Sequence, residues 1–109
     1  MPRISSHADV FHAIADANRR ALLDAVAAGE TAVGTLVDRT GLSYSAVSQH
    51  LSILRDVGLV MRRERGRHRL YRLRARPLRA VHTWTLGYEQ FWKTKLRALR
   101  RVLEEQSRR

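Results

Sequence analysis

The chain has 109 residues, room for one compact domain with a modest core. Its 21 basic and 10 acidic residues leave a formal net charge of +11, which attracts polyanions, nucleic acid first among them. With no cysteine, disulfides, thiolate metal sites and thiol redox switching are excluded; with no apolar run near membrane-span length and no signal peptide ahead of Ser5, a soluble cytoplasmic protein is expected.

The first predicted element is a short amphipathic helix from His7 to Ala15, carrying Val10, Phe11 and Ile14. Asp16-Ala17-Asn18 interrupts it and offers an N-cap for a second helix with Leu22, Leu23 and Val26, closed by Gly29. A third helix, with Val33, Leu36 and Val37 inward, ends at Gly41. Ser43 then caps a fourth. The connection from Gly41 to Ser43 is so short that these two helices must cross steeply, as in a helix-turn-helix spanning 33–57.

The fourth helix has two chemically unlike faces. Val47, Leu51 and Leu54 form an apolar stripe that needs a core. Ser45, Ser48, Gln49 and Ser52 recur at i, i+3, i+4 and i+7 on the other side. That side is polar but uncharged, whereas a solvated helix face usually carries Lys and Glu. Short hydroxyls and an amide are suited to reading the donors, acceptors and methyl groups of DNA base edges. His50 sits at the edge of the apolar stripe, where supporting the helix, touching phosphate and reading a base are all open to it.

Gly58 ends that helix, and two short basic strands follow within 59–74, joined at Gly66-Arg67. Between Arg62 and Arg79 there are nine arginines and a single acid, Glu64, interleaved with Leu70, Tyr71 and Leu73. Guanidinium groups on such a ribbon would grip phosphates or enter a minor groove. Pro77 suits the first turn of one long last helix spanning 77–106. Val81, Trp84, Tyr88, Phe91, Trp92, Leu96, Leu99 and Leu103 fall on one broad side of it. So long a helix overhangs so small a domain, and pairing with the same helix of a second chain would bury the aromatic surface left over.

The order of these elements, with the words Ala15-Asp16-Ala17-Asn18-Arg19-Arg20-Ala21-Leu22-Leu23, Val47-Ser48-Gln49-His50-Leu51, Leu54-Arg55-Asp56-Val57-Gly58-Leu59-Val60 and Gly66-Arg67-His68-Arg69-Leu70-Tyr71-Arg72-Leu73, resembles the ArsR family of winged helix-turn-helix repressors. The aromatic last helix is similar to the autorepressor-like branch that lacks metal sites. The resemblance implies a mainly α fold with a small β-hairpin, in the order α-α-α-α-β-β-α, as a single domain over 1–109. It further implies a homodimer on double-stranded DNA carrying an inverted-repeat operator, repressing its own or a neighbouring operon. By position, Ser43, Tyr44, Ser45, Ser48, Gln49, His50 and Ser52 would belong to the recognition helix, and Arg65, Arg67 and Arg69 to the wing. Val10, Phe11, Ile14, Val81, Trp84, Tyr88, Phe91, Trp92, Leu96 and Leu99 would form the dimer interface.

No cofactor and no metal are expected. The Cys-x-Cys word of the family's thiolate sensors is absent, Glu30-Thr31-Ala32-Val33-Gly34-Thr35-Leu36 standing in its place. The last helix offers His82 and no second histidine. His7, His12 and His82, with Asp9 or Asp16, would converge only if the first and last helices packed together. Catalysis is not expected, since acids and histidines are scattered on helix surfaces and the chain leaves little volume for a pocket. The competing reading is a basic protein that binds nucleic acid nonspecifically; it would need neither the uncharged Ser/Gln face nor the wing.

Overall fold

In the computed structural model, which describes residues 6–108 with side chains from Val10 onward, helices and a small sheet share one core. The elements are α1 (Ser6–Ile14), α2 (Ala17–Ala27), β1 (Thr31–Ala32), α3 (Val33–Thr40), α4 (Tyr44–Asp56), β2 (Val60–Arg65), β3 (His68–Leu73), a 3₁₀ turn (Arg76–Leu78), α5 (Arg79–Leu86) and α6 (Glu89–Ser107). The three strands form one antiparallel sheet in the order β1-β3-β2. This is a winged helix-turn-helix.

Local chemistry sets the boundaries. The Asp16 carboxylate caps α2, accepting from the backbone N–H groups of Asn18 and Arg19 at 2.8 and 3.1 Å. The Ser43 hydroxyl caps α4, accepting from the Ala46 N–H at 3.1 Å. At the far end of α4, Gly58 has φ +79, its N–H donates to Arg55, and the Leu59 N–H donates to Leu54 at 2.9 Å. These are the two hydrogen bonds of a Schellman ending, and buried Leu54 and Leu59 supply the apolar residues such an ending favours. The chain leaves α4 directly into β2.

The core gathers one stripe from each of the first four helices and from the sheet: Val10 and Ala13 of α1, Leu22, Leu23 and Val26 of α2, Val33 and Leu36 of α3, Val47, Leu51 and Leu54 of α4, and Val60 and Tyr71 of the sheet. The hairpin closes through the two-residue loop Gly66-Arg67, with Arg65 opposite His68. Only Gly66 takes positive φ there (+62), the pattern of a II′ turn with glycine first.

Two features depart from the sequence expectation. A third strand, β1, pairs Thr31 with Tyr71 and Ala32 with Leu70. Two residues carry no alternation to read, and their partner lies about forty positions away. Further on, the last helix is not continuous over 77–106. Pro77 lies in the 3₁₀ turn, and the helix then breaks at Gly87-Tyr88. There the Gly87 and Tyr88 N–H groups donate to Trp84 and Thr85, three residues back, and the Thr85 hydroxyl donates to the His82 carbonyl at 2.9 Å. A glycine, costly within a helix, and a β-branched residue competing for backbone carbonyls tighten the turn until it ends.

Candidate nucleic-acid interface

The apolar stripe of α4 seats the helix and thereby decides what faces outward. With Val47 and Leu54 fully buried and Leu51 nearly so, Tyr44, Ser45, Gln49 and Ser52 are exposed on α4, Ser43 is exposed just ahead of it, and Ser48 is half-buried. Among the described residues, no side chain of that polar face is engaged in a hydrogen bond to another residue, apart from the capping Ser43. Its donors and acceptors are left for an external partner.

Of the roles open to His50 from the sequence, its surroundings favour support of the helix. Its ring turns toward Arg19 on α2, with Nδ1 3.5 Å from an Arg19 guanidinium nitrogen. At 3.6 residues per turn it lies roughly 140–160° around the helix from Ser45, Ser48 and Ser52. It supports the helix from the flank rather than sharing the outward face.

The wing arginines do not share a face either. Glu64 lies opposite Arg69 in the ladder, on the side that carries Val60 and Tyr71. Arg65 lies opposite His68 on the other side, and Arg67 stands at the turn. All three are exposed. Among the described residues, Arg63 is the one wing arginine in an ion pair. It donates to both carboxylate oxygens of Glu30, at 2.8 and 2.6 Å, and so ties β2 to the segment before β1. That hydrogen bonding, with the charges of Arg63, Arg72 and Arg65, holds the Glu30 carboxyl below its usual range. Sequence reasoning gave Glu30 no role. An acid thirty-three positions from its partner, in a loop, carries no local signal.

The apolar surface at the other end of the chain is open. Phe11 of α1 meets Trp84 of α5 edge-on at 5.5 Å between ring centroids, Trp84 meets Tyr88 at 5.6 Å, and Tyr88 meets Phe91 at 6.3 Å. This aromatic ladder crosses the break between α5 and α6. None of the residues of α6 is buried, and Phe91, Trp92, Leu96, Leu99, Val102 and Leu103 all stand at least half exposed. Ile14 and Val81 are half-buried, packed against the core. Val10 must be removed from the interface set: it is only 1% exposed, consumed by its own core and with no surface to offer a second chain.

His12 and His82 are both exposed, and the side chain of His7 lies outside the described residues. Among the described residues no three His, Asp or Glu side chains gather as metal ligands would. Likewise, no helix among them is long and apolar enough to cross a membrane.

Comparison with known proteins agrees with this architecture. The sequence pattern of the bacterial regulatory protein, arsR family, matches residues 16–62, from the cap of α2 into β2. The HTH-type transcriptional regulator Rv2034 of Mycobacterium tuberculosis is 34% identical over 96 residues, covering 88% of this chain and 87% of that protein. The transcriptional repressor SdpR of Bacillus subtilis is 29% identical over 80 residues, covering 73% of this chain and 89% of that protein. Among solved structures, the ArsR family transcriptional regulator RHA00566 superposes with a TM-score of 0.71 at 26% identity, covering 82% of this chain and 98% of that one. The chain belongs to the ArsR family of bacterial transcriptional regulators.

Proposed function

We propose that this protein is a homodimeric, sequence-specific repressor that binds an inverted-repeat operator in the cytoplasm and silences its own or a neighbouring operon. The observation that carries the reading is the exposed, uncharged face of α4. Held by a buried stripe on its other side, α4 enters a major groove and presents Ser45, Ser48, Gln49 and Ser52 to base edges, with Ser43 and Tyr44 at its start near the phosphates. The wing follows the adjacent backbone, Arg67 leading and Arg65 and Arg69 on its two sides.

Dimerisation through α5 and α6 supplies the second half-site. Trp84, Tyr88, Phe91, Trp92, Leu96 and Leu99 form the shared surface, extended by Phe11 and Ile14 of α1 and bordered by Val81. Monomers rarely expose so continuous an apolar strip. Repression then follows from occupancy, a dimer on a promoter excluding polymerase.

The test is selection of bound fragments from genomic DNA, followed by competition of the recovered duplex against a scrambled one. Recovery of an inverted repeat held by a dimer supports the reading. Equal affinity for both duplexes would make the protein a nonspecific nucleic-acid binder, the reading that the net charge alone would permit.

A further inference from the structure

Arg19 is a charged residue in the interior, 8% exposed and without a carboxylate in ion-pair contact among the described residues. Its guanidinium is nevertheless held from three directions. Nε donates to the Ala13 carbonyl at 2.6 Å, Nη2 donates to the His12 carbonyl at 3.1 Å, and Nη1 stands 3.5 Å from His50 Nδ1. The two carbonyls belong to the last turn of α1, where the negative end of the helix dipole favours a cation; that of His12 also accepts from the Ala15 N–H at 3.2 Å. The backbone of Arg19 is fixed as well, its N–H bound to the Asp16 cap of α2. One side chain thus joins the end of α1, the start of α2 and the flank of α4.

Arginine has only donors, so a hydrogen bond across this gap requires His50 Nδ1 to accept and the ring to carry a proton on Nε2. His50 is the neighbour of Gln49, about 100° away around the helix. A helix seated on one stripe can still roll about its axis; a second restraint on its flank fixes the roll, and with it the aim of the opposite face.

We propose that Arg19 is a positioning residue for DNA recognition, setting the roll of α4 through His50 so that Gln49 and the serines meet the base edges. The inference rests on the reading of α4 as the recognition helix. It assigns the link between α1 and the DNA-facing helix to one guanidinium.

The experiment uses the full chain and the duplex recovered by genomic selection, against its scrambled counterpart. Arg19→Gln is expected to lower the preference for the selected duplex roughly tenfold, the worth of one misplaced bidentate contact, with binding to scrambled DNA, its salt dependence and the dimer state unchanged. Asparagine places an acceptor near the position of Nδ1, so His50→Asn is expected to retain the preference and His50→Leu to lose it. Arg19→Gln and His50→Leu together should cost no more than either alone. Nitrogen-15 NMR of the unliganded protein supplies a readout independent of DNA: His50 shows the Nε2–H tautomer in the wild type and a mixture in Arg19→Gln. A lowered melting temperature with the preference intact means that Arg19 only stabilises the fold, and overturns the proposal. So does a wild-type His50 protonated on Nδ1. If the wild type shows no preference for any duplex, the recognition-helix reading has failed and the proposal falls with it, whereas an NMR result as expected still establishes the junction.

Discussion

Replacing Trp92 and Leu96 by alanine is expected to dissolve the dimer while leaving each domain folded. The two side chains remain 53% and 52% exposed in the single chain, so about half of each is available for burial against a second copy. Full burial of a large apolar side chain contributes about 1.5–3 kcal/mol, which makes the available half worth about 0.7–1.5 kcal/mol. A symmetric dimer contains four such side chains, giving about 3–6 kcal/mol, or a dimer dissociation constant weaker by about a hundredfold to twenty-thousandfold. Neither residue is part of the core, so thermal unfolding should remain cooperative. Sedimentation equilibrium across a concentration series measures the constant, and circular dichroism checks the fold. Operator affinity should fall in parallel, since each half-site contact loses its tethered twin. A wild-type protein that is monomeric at micromolar concentration would refute the reasoning, as would a double variant that dimerises as tightly as the parent.

Gln49→Ala is expected to cost about 1–3 kcal/mol on the selected duplex and far less on scrambled DNA, measured by competition binding; equal losses on both would remove Gln49 from base recognition. Arg67→Ala should weaken all duplexes by similar factors and flatten the salt dependence by about one counterion per wing, read as the slope of affinity against salt. The Glu30–Arg63 clasp should be pH-dependent with a defined sign. Because the folded Glu30 carboxyl is held below its usual value, chiefly by the hydrogen bond from Arg63, its contribution is present above the ordinary carboxylate pKa and is lost as pH falls through the lowered one. Hydrogen exchange of the β1–β3 amides should speed up over that acid range in the wild type, and Glu30→Gln should remove the dependence. Finally, zinc or nickel at stoichiometric levels should leave operator affinity unchanged, since the chain lacks thiolates and has a single histidine beyond the wing, His82; titration calorimetry coupled to DNA binding decides it.

What the sequence made legible was local. The 3.6-residue period of Val47, Leu51 and Leu54 placed α4, Ser43 and Gly58 marked its ends, and Gly66-Arg67 marked the turn of the wing. The features it hid depend on distant partners or on competing weak effects. Strand β1 exists because Tyr71 and Leu70 offer it an edge. Arg19 looks like any surface arginine until α1 folds back and presents two carbonyls to it. Val10 and Phe11 are adjacent on a short apolar helix, and only packing shows that the first belongs to the core while the second meets Trp84. The break at Gly87 is a near-balance: its aromatic neighbours have the helical spacing of a continuous stripe, so periodicity ran through it.

That break has a consequence for the architecture of the proposed dimer on DNA. If α6 were a rigid continuation of α5, the separation of the two DNA-facing helices would be fixed by helix geometry. With a joint at Gly87-Tyr88, the proposed pairing would set it by an angle. Helix α6 has 19 residues and acts as a lever arm about 28 Å long, so a change of roughly 10° at the joint swings its far end by about 5 Å, more than the ~3.4 Å between successive base pairs. Half-site spacing in the proposed dimer would then be tuned at Gly87 and its neighbours, leaving the recognition helix untouched.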